Sequence, residues 1–210
     1  MMSQNKAASW VYTEQLHTEP ESVTQARKEA AELQISSTGA ASVQFLKNLV
    51  LLPHIRTVAE IGTGTGVVSL SLLLENPAIN LTTIDIESVA QGYAREHFAA
   101  AGIRPSRYRI INGLSSDLLP RLACAAYDLV YLDGDPLEAE GDAKEAIRML
   151  RPGGILVCNH ALYQDRVADP ARRDNVTVAL RNLGRALLEA EELSATVLPV
   201  GDGLIFAVKR

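Results

Sequence analysis

Residues 58–67 read Val-Ala-Glu-Ile-Gly-Thr-Gly-Thr-Gly-Val, an apolar run that carries one carboxylate, Glu60, and then glycines at 62, 64 and 66. Glycines at alternate positions let the backbone turn sharply and let a bulky ligand lie against bare main chain, because no Cβ stands between them. A nucleotide-like ligand is what such a loop serves, with Gly62, Thr63, Gly64 and Gly66 against it and Glu60 just upstream. The dinucleotide fingerprint G-x-G-x-x-G would put its third glycine at Val67, and Gly66 comes one residue early, so the register disfavours NAD. A nicotinamide-dependent oxidoreductase is therefore the lesser reading. Asp85 stands about 20 residues beyond the loop, where a carboxylate can accept hydrogen bonds from both ribose hydroxyls. It could equally cap a helix beginning near Glu87. The bland alternative for the whole loop is a strand-to-helix turn that simply needs glycine.

A second set of reactive residues lies further on, at Asp133, Asp135, Asn159 and His160. His160 has the one unperturbed pKa near neutrality in this set, which suits a catalytic base or a ligand, although a histidine at a strand end also serves as a structural hydrogen-bonding group. Asp133 could take up a proton, whereas Asp135 reads as solvated or as a turn former. His17, His54 and His97 carry no such signal: His17 precedes a turn, His54 follows Pro53, and His97 falls in a helical stretch with a solvated face.

The elements that must position these groups alternate. Two helices are expected between Lys6 and Leu33, broken at Glu19-Pro20, with Ser22 and Gln25 as a capping box for the second. A third follows over 40–52 and stops near Pro53. Strands are then expected at 57–61, 81–85, 108–111, 127–132 and 155–159, with helices near 67–75, 88–101, 116–122 and 138–150 between them. Such alternation predicts a mostly parallel sheet with helices on both faces, a Rossmann-like α/β fold. A longer helix over 172–191 precedes two final strands, 194–198 and 204–209, joined through Gly201-Asp202-Gly203 as an antiparallel hairpin. In a sheet of this kind ligands bind beyond the carboxyl ends of the strands, which is where these residues fall.

A chain of 210 residues with 47% hydrophobic content suits one domain, with a helical part over 1–52 and an α/β core over 53–210. The net charge of -5 gives no footprint for nucleic acid and favours a small-molecule partner. Cys124 and Cys158 cannot build a disulfide framework, the N-terminal residues lack a signal-peptide pattern, and no run approaches a membrane span. These features predict a cytoplasmic protein with no membrane partner.

Taken together, these motifs resemble the cation-dependent O-methyltransferase family that includes caffeoyl-CoA and catechol O-methyltransferases, and more closely its bacterial branch. The resemblance rests on Ile35-Ser36-Ser37, on the stretch from Glu60 to Gly66, and on Asp85. Further on it rests on Tyr131-Leu132-Asp133-Gly134-Asp135, Leu150-Arg151-Pro152-Gly153-Gly154, Asn159-His160-Ala161-Leu162, Val167-Ala168-Asp169-Pro170 and 198–204. It implies a seven-stranded sheet that binds S-adenosylmethionine (SAM) through Glu60, Gly62, Gly64, Gly66, Asp85, Gly113, Ser115 and Asp133, with Leu114 against the adenine. Methyl transfer to a small hydroxylated or phenolic acceptor follows, as does a homodimer built through the N-terminal helices. Asp133 would then either accept a proton or hold the amine of SAM.

The family's chemistry also implies a divalent cation held by oxygen ligands, an Asp after the fourth strand and an Asp-Asn pair after the fifth. Here the candidate ligands are Asp133, Asn159 and His160, so one anionic ligand has become neutral and an amide has become imidazole. That set suits Mg²⁺ poorly and leans toward a transition metal. The lysine that many members carry three residues after the first Asp is replaced by Pro136, which cannot take a proton. Val68 stands where relatives often place a serine, and its neighbour Ser69 is expected to be rotated away. Tyr163 and Arg166 fall in the loop that shapes the acceptor pocket in the family. Binding SAM without turning it over is the alternative these departures leave open.

Overall fold

The computed structural model describes residues 5–210. Seven strands form one sheet: β1 (Thr57–Ile61), β2 (Asn80–Asp85), β3 (Tyr108–Asn112), β4 (Tyr127–Leu132), β5 (Leu150–Cys158), β6 (Leu193–Leu198) and β7 (Leu204–Lys209), in the order β3-β2-β1-β4-β5-β7-β6. β1 to β5 run parallel, and β7 is antiparallel to both β5 and β6. The helices are α1 (Asn5–Gln15), α2 (Glu21–Glu32), α3 (Ala40–Val50), α4 (Val67–Glu75), α5 (Ser88–Ala100), α6 (Ser115–Leu118), α7 (Ala139–Met149) and α8 (Asn175–Glu189).

β4 shows why the sheet lies between two layers. All six of its residues are buried, and they alternate between faces as strand geometry requires. Leu129 and Tyr131 join the core that contains Leu46 of α3, Leu70 of α4 and Phe98 of α5, while Val130 and Leu132 join the core that contains Ala146 of α7 and Leu183 of α8. A central strand buried on both faces excludes water from the sheet on both sides. Only its end is left to meet a ligand.

Several boundaries differ from expectation for local reasons. The capping box at Ser22 and Gln25 does not form, because α2 begins at Glu21 behind Pro20, whose φ of -57° already suits a helix start. Gln25 instead donates to Glu29 one turn on, at 2.9 Å. The helix expected over 116–122 is one turn, α6, followed by a 3₁₀ turn at Leu119–Arg121, since Pro120 has no amide to continue the ladder. β5 starts at Leu150 rather than 155, because Leu150 pairs with Tyr127 before the register shifts at Leu129.

Candidate active site

The order β2-β1-β4 reverses the direction of winding at β1, so the carboxyl ends of β1 and β4 lie side by side, with Ile61 opposite Leu132. Each residue just past a strand is tied to its neighbour. Gly62 N–H donates to Ile84 (2.8 Å), Asp133 N–H to Ile61 (2.8 Å), Gly113 N–H to Asp85 (2.9 Å) and Asn159 N–H to Leu132 (2.9 Å). Gly113, Gly62, Asp133 and Asn159 therefore form a row along one edge of the sheet. Gly62 has φ +97°, and a Cβ there would stand 2.2 Å from the Asp133 carbonyl oxygen, so a side chain at 62 is excluded by both conformation and space.

Two clefts open on this row and share Gly62 and Asp85. The first, of ≈ 420 Å³, runs from the glycine loop to Ser36-Ser37-Thr38 and Asp133, with Glu60 at its floor. The second, of ≈ 540 Å³, is bounded by Ile86, Gly113, Leu114 and Ser115. Asp85 pins their junction: one carboxylate oxygen accepts from Gly64 N–H at 2.7 Å, and the other accepts from Glu87 N–H at 2.9 Å. Asp85 does not cap α5, whose cap residue is Glu87. It closes the turn before α5 and it faces the cleft.

Glu60 is fully buried, and burial pushes its pKa up to about 8 against the lowering effect of its hydroxyl partners. Thr83 donates to one of its oxygens at 2.6 Å, Ser69 donates to the same oxygen, and the other oxygen has no partner. Ser69 therefore turns inward onto Glu60, not away as the helical spacing alone suggests. Thr63 meets Thr83 at 2.6 Å and continues this buried network under the glycine loop. Beside the second cleft Ser115 lies against Asp142, whose carboxyl burial pushes upward. Ser115 begins α6 without capping it, and Leu114 precedes it, half exposed, with Ile86 also exposed nearby. Their apolar surfaces can flank a flat ring.

The Asp133 end of the first cleft is more constrained. Thr38 donates to one Asp133 oxygen at 2.6 Å, and Tyr131, whose hydroxyl lies 2.8 Å from Thr38, must donate to it, since Thr38 has one proton to give. The other Asp133 oxygen faces Asn159 Nδ2 at 2.8 Å and His160 Nε2 at 3.1 Å. His160 Nδ1 lies 2.7 Å from Asp202. Burial opposes charge on this ring, but the hydrogen bonds and charges of Asp133 and Asp202 outweigh it and push the His160 pKa up to about 9. The expectation of a base titrating near neutrality therefore does not hold. The His160 ring lies between the side chains of Asp133 and Asp202.

The structure brings Asp133, Asn159 and His160 together, but as partners of one another. Asn159 turns its donor face to Asp133, and both His160 nitrogens are engaged, so the set offers a hard cation neither the number nor the kind of free oxygens it needs. Among the described residues no cluster of three or more His, Cys, Asp or Glu is arranged to hold a metal. Thr38 and Asp202 escaped sequence reasoning, because each lies in a turn whose spatial neighbours are distant in the chain. Asp202 arrives through the β6-β7 turn, where Ala161 and Leu162 N–H groups bond Gly203 and Asp202 carbonyls. His97 also departs from expectation: it is paired with Glu29 at 2.5 Å, joining α5 to α2. Asp135 forms a turn by accepting from Leu137 N–H, and Arg166 lies 5.5 Å above the Tyr163 ring.

A family model described as O-methyltransferase matches residues 10–210. The chain belongs to the O-methyltransferase family. A Mycobacterium tuberculosis relative named "Probable O-methyltransferase" is 39% identical over 202 residues, covering 95% of this chain and 90% of that one. Among solved structures, a Corynebacterium glutamicum protein superposes with TM-score 0.88 at 30% identity over 97% of each chain. The O-methyltransferase TomG from Streptomyces achromogenes, involved in tomaymycin synthesis and solved in complex with SAM, superposes with TM-score 0.85 at 25% identity, over 100% of this chain and 99% of that one. The chain has the mixed, mostly parallel seven-stranded sheet of these O-methyltransferases, and SAM is the molecule bound in TomG. No described helix is long and apolar enough to cross a membrane.

Proposed function

We propose that SAM lies across both clefts and that its methyl group passes to a hydroxyl of a small phenolic acceptor held at the Asp133 end. The observation that carries this reading is the pair of clefts joined at Gly62 and Asp85, one floored by a buried acid and the other flanked by apolar residues. In this reading the methionine end occupies the first cleft, with its ammonium near the unpartnered oxygen of Glu60. Asp85 meets the ribose, and the adenine lies between Ile86 and Leu114. The acceptor oxygen attacks the methyl carbon in line as the carbon–sulfur bond breaks. An ether, the thioether S-adenosylhomocysteine and one proton result, with Asp133, which lines that end of the cleft, as the carboxylate to take or relay that proton. The chain's own groups orient the reactants and exclude water, and proximity of this kind supplies a large part of the rate.

A homodimer through the N-terminal helices fits the exposed Val11 and Tyr12 of α1 and Leu16 just after it, and a reducing compartment fits two free cysteines, one of them exposed. Light scattering tests the dimer. The activity is tested by incubating the protein with labelled SAM and a panel of phenols and catechols, and by following S-adenosylhomocysteine. Methyl transfer to at least one acceptor is expected. SAM binding with no transfer to any acceptor would leave a cofactor-binding protein that has lost the chemistry.

A further inference from the structure

Both ring nitrogens of His160 face carboxylate oxygens, Asp133 at 3.1 Å and Asp202 at 2.7 Å. Nδ1 is in hydrogen-bond contact with Asp202 and Nε2 lies against Asp133, so the one ring spans the gap between the two carboxyl groups. The arrangement is built, not incidental. Asp202 is fixed in turn by Gln164 N–H at 2.5 Å on its other oxygen, and its carbonyl accepts from Leu162 N–H at 2.9 Å. His160 itself has φ +60°, and Tyr163, Gln164 and Asp165 have φ between +45° and +64°. Strained backbone of this kind persists only where its surroundings hold it. Asn159 adds a third donor, 2.8 Å from the same Asp133 oxygen that faces His160. That oxygen's lone pairs are therefore directed at protein groups.

We propose, on the reading that this protein transfers methyl groups, that the His160 ring takes the place of a divalent cation: it links Asp133 to Asp202 and organises the acceptor end of the cleft with no metal. A consequence concerns the acceptor. A chelated cation selects molecules that present two neighbouring oxygens, because it coordinates both. A ring whose two nitrogens are already engaged by protein carboxylates cannot chelate, so isolated phenolic hydroxyls serve as well as vicinal diols. His160 is a positioning residue in this scheme, acting through Asp133.

The test is a Mn²⁺ titration of the SAM-loaded protein followed by electron paramagnetic resonance, run beside methyl transfer in EDTA. Wild type is expected to leave the free Mn²⁺ signal undiminished up to about 1 mM, to be insensitive to EDTA, and to use a monophenol within about 10-fold of the matching catechol. The double variant Asn159→Asp/His160→Asn, checked by its melting temperature and its SAM affinity, is expected to bind Mn²⁺ at least about 10-fold more tightly than wild type. Mn²⁺ binding by wild type, or turnover abolished by EDTA and restored by Mg²⁺, overturns the proposal. So does a folded double variant with no gain in Mn²⁺ affinity, since His160 and Asn159 would then not be what excludes the ion. If no acceptor is methylated, the methyl-transfer reading fails by itself, while the Mn²⁺ titrations still decide who fills the cation's place.

Discussion

Glu60 at neutral pH is a buried acid that retains its proton, with one oxygen waiting for a partner. Its folded pKa of about 8 lies above the ordinary 4.5, so its contribution to stability is full below pH 4.5 and is lost as pH rises through about 8. Melting curves of Glu60→Gln should show that decline flattened. An ammonium placed beside Glu60 favours the ionised form, so SAM binding near neutrality should release a proton, seen as a heat that varies with the buffer's ionisation enthalpy. Glu60→Gln should abolish the release and weaken SAM binding roughly 10- to 100-fold, the equivalent of about 1.5–3 kcal/mol for a charged hydrogen bond. His160 behaves similarly for a different reason. Two carboxylates hold its pKa at about 9 against an ordinary 6.5, so the stability it contributes is full below pH 6.5 and disappears as pH rises through about 9. His160→Asn should remove that slope in thermal melts across the same window. Gly62→Ala should eliminate SAM binding in calorimetry, because its Cβ would meet the Asp133 carbonyl at 2.2 Å. The strained backbone alone costs about 1–3 kcal/mol of stability.

Two helices act on the two ends of the cleft through single arginines. Arg27 of α2 forms paired contacts with Glu19, each 2.6 Å, and donates to the Thr38 carbonyl at 2.5 Å, which holds the 35–39 turn over the first cleft. Arg181 of α8 donates to the carbonyls of Val167 at 3.0 Å and Asp169 at 2.9 Å and so gathers the loop between β5 and α8. Arg27→Met should therefore raise the SAM dissociation constant. Arg181→Met should leave SAM affinity near wild type and lower kcat/KM for the acceptor by about 10-fold or more, since it loosens only the wall on that side. A Arg181→Met variant with weakened SAM binding and unchanged acceptor kinetics would contradict this division. At this scale the sequence was largely readable. β1, β4, α4 and β7 have the bounds that apolar periodicity and the glycine and Asp-Gly turns predict, because those signals are local. Asp142 under Ser115 and Glu29 beside His97 were not readable, since a side chain's partner across the fold leaves no trace in spacing.

For the whole molecule, the reversal of strand order at β1 makes one sheet edge the meeting place of the two clefts and of β7, which delivers Asp202 from the far end of the chain. Ligand binding there should stabilise the entire fold, because residues from both cores line it. S-adenosylhomocysteine at about 100 times its dissociation constant should add about 2.7 kcal/mol, a rise of roughly 5–10 °C in Tm for a chain of this size. No shift in differential scanning calorimetry would argue against the cofactor site described.

The sequence by itself determined the parallel sheet, the glycine loop and the order of motifs that marks the family, since these depend on residues adjacent in the chain or repeated at a fixed period. It also exposed the altered pair Asn159 and His160. Only the tertiary structure decided what that alteration does. Asp202 lies 42 residues from His160 in the chain, and the turn that brings their charged groups to 2.7 Å is fixed by the pairing of β7 with β5. The sign and strength of an electrostatic contact depend on such distances and on burial, so the charge on His160, and with it the character of the acceptor end, became visible only once the sheet was closed.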